Sequence, residues 1–275
     1  MIQRVLITLL GISLIATAGC ARFGRPRRPV RELVLQIVAP PDNREAAMDQ
    51  TVKTITNRLY ALGANADVQP ESAQAGLITV SVWQTTDLGR LKQIITAAGK
   101  LEMTHVMSDP NPAPVKTYAT KEAAGDSADM RDNATPHRVL PYVDRNEITD
   151  SGSETPAPIR WVVVESPAII DGADLRSASP LANPNQNDYE IMFSLDKNGA
   201  EKFGNWTAAH INEYLAVVLN DEVRSIAFIR SRIYDRGEIT GHFTKQSAED
   251  LALVLKSGSL PYPVKIVSES GSQQK

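Results

Sequence analysis

An α+β fold in two parts follows from three features of the chain. Between Glu32 and Met107, apolar runs succeed one another in β-α-β-α-β order. Between Glu213 and Val267, several strand-like runs cluster around turn residues and one well-punctuated helix. A stretch rich in Pro, Asp, Ser, Thr and Ala lies between them. At 275 residues, 42% hydrophobic and 22% charged, the chain suffices for one or two globular domains. Its net charge of −3 supplies no basic field for nucleic acid.

Met1 to Gly19 carries one positive charge, Arg4, then the apolar run Val5 to Ala16 and the small residues Thr17-Ala18-Gly19 before Cys20. The run is shorter than the roughly 20 apolar residues that cross a bilayer, so residues 1–20 read as an export signal. A cysteine directly after Ala-Gly resembles the bacterial lipobox, although Thr17 stands where that motif usually has leucine. Cys20 is therefore the expected lipidation site; a plain signal peptide or a non-cleaved anchor is the alternative. In each case the rest of the chain is expected to be exported. With no second cysteine there is no disulfide framework. Residues 21–31 hold Arg22, Arg25, Arg27, Arg28 and Arg31 among prolines. This basic tether is either solvated or held to anionic headgroups, each side chain then contributing about 1 kcal/mol.

From Glu32 the pattern tightens. Leu33, Leu35 and Ile37 alternate as a strand, and Pro40-Pro41 ends it. Arg44 to Leu62 has helical spacing through Ala47, Val52, Ile55 and Leu59, closed by Gly63. Leu77 to Trp83 reads as a second strand, Asp87 to Ala98 as a helix with Leu88, Leu91, Ile94 and Ile95 inward, and Lys100 to Met107 as a third strand. These pieces lack a full ferredoxin-like set, which the helix at Lys245–Lys256 and the strand at Val264–Val267 could complete.

Residues 108–158 have strand character only at Arg138 to Val143, and the remainder reads as flexible connector. A second region, 159–243, starts with the β-rich run Arg160 to Glu165. The turn Ile170-Asp171-Gly172, a short helix or turn at Ala173–Ala178, a strand Tyr189–Leu195 and a helix Asp196–Trp206 follow. Next come an apolar strand Tyr214–Leu219, an Asn220-Asp221 turn and a long strand Glu222–Tyr234, in which Ile229, Ser231 and Ile233 alternate with Arg230, Arg232 and Tyr234. Asp235-Arg236-Gly237 reads as a hairpin turn, with Gly237 at positive φ, leading to a strand Glu238–Phe243. Thr244 can cap the helix that presents Ala248, Leu251, Ala252 and Leu255 on one face, and Gly258 and Pro261 stop it.

Chemistry-bearing constellations are scarce. His105, His137, His210 and His242 stand singly, without H-x-x-x-H or C-x-x-C spacing, and there is no G-x-S-x-G. His242 falls on the wetted face of its strand. No enzymatic activity, cofactor or metal is expected. What remains is binding: Trp206, Tyr214, Phe203 and Phe193 are the aromatic candidates for a shallow groove that holds an extended polypeptide. Phe193 and Phe203 sit at the inward phase of their elements, where core packing is the competing role.

Several runs resemble one family. Ile233, then Ile239-Thr240-Gly241-His242-Phe243-Thr244, and the pattern Ala248, Leu251-Ala252, Leu255, Gly258, Leu260-Pro261 and Pro263 are similar to the first periplasmic domain of the SecD subunit of bacterial protein translocases. Leu195, Gly199, Phe203 and Thr207 extend the resemblance, as do Arg58-Leu59, Leu62-Gly63, Val68-Gln69 and Gly99-Lys100-Leu101-Glu102 nearer the start. It implies a ferredoxin-like base built from both ends of the mature chain, residues 32–107 plus 244–268, with an inserted α+β head at 159–243 and a polar tail at 269–275. It also implies contact with unfolded or secreted polypeptide, the Sec translocase or other envelope proteins, on the periplasmic side of the bacterial envelope. Proton-driven work in that family depends on membrane helices beyond this domain, and these runs contain no counterpart, so pumping is not carried over. The alternative is a structural lipoprotein that docks on an envelope or translocase partner.

Overall fold

The computed structural model describes residues 31–38, 44–84, 87–108, 114–129, 136–143, 158–184 and 187–271. Cys20, the export signal, the tether before Arg31 and the last four residues lie outside them.

The base comprises strand β1 (Arg31–Ile37), helix α1 (Arg44–Ala61), strands β2 (Asn65–Ser72) and β3 (Leu77–Gln84), helix α2 (Leu88–Thr96) and, from the far end of the chain, strand β13 (Val264–Ser270). The strands form one antiparallel sheet in the order β13-β1-β3-β2. This is the βαββαβ succession of a ferredoxin-like unit, with β13 as its last strand. Ile37 faces Val264 and Leu35 faces Ile266, so both ends of the described chain share one sheet. Strand β13 runs on to Ser270, so residues 269 and 270 of the expected polar tail are paired, Glu269 with Leu33. The alternation in the sequence is the burial pattern observed: Leu33, Leu35, Ile78 and Val80 are fully buried. Helix α1 adds Met48, Ile55 and Leu59 to this core. Helix α2 adds Leu91 and Ile95, and is capped by Asp87, whose carboxylate accepts the Arg90 N–H at 2.8 Å. Strand β2 has no mark in the sequence. It is polar, contains Pro70, buries only Val68 and lies at the sheet edge, where neither alternation nor a full set of donors is required.

The run Leu101–His105, expected as a base strand, is β4 and belongs to the head. It joins β5 (His137–Tyr142), β6 (Arg160–Glu165), β7 (Ile170–Asp171), β10 (Tyr214–Leu219) and β11 (Glu222–Phe228). These six form a sheet ordered β6-β5-β11-β10-β4-β7. The β10–β11 hairpin turns on Asn220 (φ 53°) and Asp221 (φ 61°), two consecutive left-handed residues of the kind a two-residue loop demands. Within the connector, β5 matches the expected strand. Helix α3 (Lys121–Asp129), too small and polar to show periodicity, packs on β5 and β6.

A second head sheet consists of β8 (Leu175–Asn183), β9 (Asp188–Leu195) and β12 (Arg236–Phe243) in the order β12-β9-β8. Strand β8 replaces the expected helix or turn after Ala173; a single 3-10 turn, Gly172–Asp174, precedes it, and most of its residues are exposed at the sheet edge. The expected hairpin at Asp235–Gly237 is also corrected. Strand β11 ends at Phe228, and β12 pairs with β9, Ile239 facing Ile191. Gly237 is not at positive φ; glycine is needed there because a Cβ would sit 2.5 Å from Phe193 Cζ. His242 takes φ 52° at a register break in β12, and its half-buried ring lies 2.8 Å from Asp188 rather than free on a wetted face.

Helix α4 (Lys197–Ala209) explains the spacing of Leu195, Gly199, Phe203 and Thr207, because all four are buried along its inner side or just before it. The Thr207 hydroxyl accepts the Ile233 N–H at 2.9 Å and donates its one hydrogen to the Phe203 carbonyl at 2.8 Å, the Ile233 carbonyl lying further off at 3.2 Å. This pins residues 229–235 as they cross between the two head sheets. Thr207→Val keeps the volume and loses both bonds, so an unfolding cost of about 1–3 kcal/mol and faster hydrogen exchange at the Ile233 amide are expected. An unchanged exchange rate at Ile233 would contradict that account.

Helix α5 (Lys245–Ser257), capped by Thr244, was expected to complete the base and instead serves the head. The base is already complete with β2, α2 and β13. Ala248, Ala252 and Leu255 of α5 bury into one core with Ile191, Phe193 and Phe203, against the three-stranded sheet, and the helix also touches α1.

Candidate functional site

The four aromatic candidates do not line one groove. Phe193 and Phe203 are 3% and 1% exposed and form part of the head core, so packing is their role and they are closed to a ligand. Trp206 is half-buried on α4 and packs on the same core. Its ring stacks on His210 with centroids 4.0 Å apart, and His105 meets it edge-on at 5.4 Å. His105 stands between two carboxylates, Glu165 at 2.9 Å and Glu213 at 2.8 Å. Tyr214 lies on the opposite face of the six-stranded sheet. It packs with Val106, Val162 and Val218 and sits 5.3 Å from the Phe228 ring, whereas its neighbour Leu215 points into the Phe203 core. Alternation along β10 thus separates Trp206 from Tyr214.

A concave surface lies elsewhere, at the joint of base and head. A groove of about 570 Å³ opens between α1, β8 and α5, lined by Asn57, Tyr60, Ala178, Pro180, Leu253 and Lys256 among others. Tyr60 is 86% exposed on its rim, far more than an aromatic residue in a closed core. Tyr60 occupies the outward phase of α1, where polar residues are usual, so periodicity passes over it; an isolated aromatic on a polar helix face is the signal that could have found it.

One residue from the groove-lining Asn57, Arg58 ties the two parts together. It is fully buried and, among the described residues, meets no carboxylate. Its Nη1 donates to the Ile94 carbonyl at 2.9 Å and to that of Ala97, and its Nη2 donates to the Gly258 carbonyl at 2.8 Å. These carbonyls lie at the C-terminal ends of α2 and α5, which attract a cation. Burial pulls the guanidinium pKa down to about 10, which still leaves it charged at neutral pH. Gly99 makes room for the clasp: its φ is +68°, and a Cβ would lie 2.6 Å from Val254 Cγ1 and 3.0 Å from Arg58 Nη2. The sequence runs Arg58-Leu59 and Gly99-Lys100-Leu101 are therefore two sides of one contact.

Among the described residues no group of His, Cys, Asp and Glu could hold a metal ion, and no helix is long and apolar enough to cross a membrane. The class is thus a two-part α+β module, a ferredoxin-like base clasped to an inserted two-sheet head with an open groove at their joint. Residues 146–262 match the family described as SecDF, P1 head subdomain. The protein translocase subunit SecD of Aquifex aeolicus (strain VF5) is 34% identical over 229 residues, 82% of this chain and 40% of that protein. SecD of Koribacter versatilis (strain Ellin345) is 31% identical over 229 residues, 83% of this chain and 39% of that protein. The chain thus spans about 40% of the length of these relatives. Among solved structures, one described as a membrane component SecDF that enhances protein export superposes with a TM-score of 0.61 at 24% identity, covering 86% of this chain and 98% of that one. SecDF in its super-membrane-facing form superposes with a TM-score of 0.62 at 23% identity, covering 87% of this chain and 30% of that one, so the fold is shared. The chain is similar to the first periplasmic domain of SecD, as its sequence motifs imply.

Proposed function

We propose that this chain is an exported, non-catalytic binding module, lipid-anchored through Cys20, that contacts unfolded or secreted polypeptide on the periplasmic side of the envelope in protein export. The observation that carries the reading is the similarity to SecD over 82% of the chain, together with the head-family match over residues 146–262. The joint groove supports it physically. It is open, mostly apolar and flanked by the exposed edge strand β8, so it suits a chain recognised by shape and backbone rather than by sequence. Cys20 and its acyl group provide the attachment.

Photoreactive side chains placed at Tyr60 and at Trp206 in cells test this. Tyr60 is expected to capture a mixture of secreted chains, Trp206 less, because its ring is already covered by His210. Capture of a single stoichiometric partner, undiminished when unfolded protein is added, would replace the proposal with docking on an envelope or translocase component. Cys20→Ala is expected to move the protein from the membrane to the soluble fraction, and retention on the membrane would remove the anchor.

A further inference from the structure

The crossing segment between β11 and β12 has a feature that folding leaves unused. Ile229 is fully buried and Ile233 packs on the head core, which fixes the segment from within. Arg230, Arg232, Tyr234 and Arg236 are exposed along it. Among the described residues neither Arg230 nor Arg232 has an ion-pair or hydrogen-bond partner, and the backbone N–H and C=O groups of Arg230, Ser231, Arg232 and Tyr234 are likewise unbonded. Asp235, the carboxylate within the segment, is already engaged by Arg176 at 3.5 Å and Arg236 at 4.0 Å.

Arg232 is also held in place. Its guanidinium lies over Gly204 of α4, where a Cβ would come within 3.0 Å of Nη2, and over the 67%-exposed ring of Tyr234 at 5.1 Å. Glycine inside a helix is less stable than alanine, so Gly204 makes room for that guanidinium at the expense of helix stability. The segment bends at Ser231 and Asp235, and its unbonded backbone groups can take hydrogen bonds from a bound chain. A planar guanidinium held against a helix and a ring, with its donors unspent, matches a carboxylate.

We infer that residues 230–236 are a docking strip for an acidic stretch of polypeptide, which bonds the free backbone groups of the segment and presents carboxylates to Arg230 and Arg232. A second copy of this strip is disfavoured as occupant, since it would bring arginine against arginine. The inference rests on the proposed polypeptide contact and narrows it to acidic segments.

The test uses the purified chain and three short synthetic peptides of alternating residues, Glu-Thr, Gln-Thr and Lys-Thr, with vesicles of phosphatidylglycerol as a fourth probe. The Glu-Thr peptide is expected to bind most tightly and to slow hydrogen exchange at the amides of residues 230–234. The double variant Arg230→Glu/Arg232→Glu is expected to weaken it about tenfold and to favour the Lys-Thr peptide instead. Gly204→Ala, which keeps both charges and displaces the Arg232 guanidinium, is expected to weaken Glu-Thr binding about twofold to threefold without loss of fold. Equal binding of Glu-Thr and Gln-Thr, unchanged in the variants, would overturn the strip while leaving the polypeptide reading intact. Binding of the Glu-Thr peptide without added amide protection would overturn the backbone contact. No binding of any peptide would defeat the polypeptide reading and this inference with it, and arginine-dependent binding to vesicles alone would overturn the strip in favour of a lipid contact.

Discussion

Arg58→Met is expected to unfold at markedly lower denaturant than the parent protein, with a stability loss of about 3 kcal/mol, because it removes the charged donor while roughly keeping the volume. The loss follows from the partners: the carbonyls of Ile94 and Gly258 sit 2.9 and 2.8 Å from the guanidinium nitrogens, at the ends of two helices from different halves of the sequence. Without the donor these acceptors are left unpaired in a buried joint. Arg58→Lys should recover part of the loss, since one ammonium reaches fewer of them than a planar fork does. Tyr60→Ala, two residues along the same helix and largely in water, should change stability by less than about 0.5 kcal/mol. Urea titrations of the three variants check this, and an Arg58→Met midpoint equal to that of Tyr60→Ala would sink the clasp.

The pH response of the clasp has a definite sign. Burial lowers the Arg58 pKa from its ordinary value to about 10, so the unfolded state binds the proton more tightly than the folded state. Stability from this group therefore rises with pH only above the folded-state value, up to the ordinary arginine pKa, and is flat below. The Arg58→Met difference is expected to be the same at about pH 6 and about pH 8. A difference that vanished on either side of neutrality would mean another titrating group carries it.

Phe203→Ala carries the second large effect, an expected loss of about 3–5 kcal/mol. The ring is sealed in a core with Ile191 and Leu195 of β9, Leu215 of β10 and Ala252 of α5, so truncation opens a cavity that no one of these elements can fill by a local shift. Trp206→Ala, three residues on and half-buried, should cost only about 1–2 kcal/mol, because much of its area already faces water or the His210 ring. Thermal unfolding of the pair separates core from surface. Should the tryptophan variant prove the less stable of the two, the assignment of Phe203 to the interior fails.

The elements that periodicity does not mark share a physical cause. Strands β2 and β8 are edge strands with most side chains in water, and a strand that buries one face weakly shows little alternation. Leu101–His105 does read as a strand, but it is covered on both faces, so its pattern could not say which sheet receives it. The alternation of Ile229, Ser231 and Ile233 with arginines reads as ladder strand. It instead reflects a segment bent at Ser231 and anchored by two isoleucines and the Thr207 hydroxyl. Of the candidate site, the inward phase of Phe193 and Phe203 already pointed to core packing; that Trp206 and Tyr214 lie on opposite sheet faces was not legible.

The order of residues along the chain is enough for the α+β class, the cap and stop of α5, the Asn220-Asp221 turn and the similarity to the first periplasmic domain of SecD. These depend on interactions within a few residues, or on ordered motifs. Which sheet each strand joins, why Gly237 and Gly99 are glycines, and that Arg58 closes the joint emerge only once the chain is folded. Each depends on a partner distant in sequence, Phe193 for Gly237, Val254 for Gly99 and Gly258 for Arg58, and periodicity along a chain reports burial without naming what does the burying.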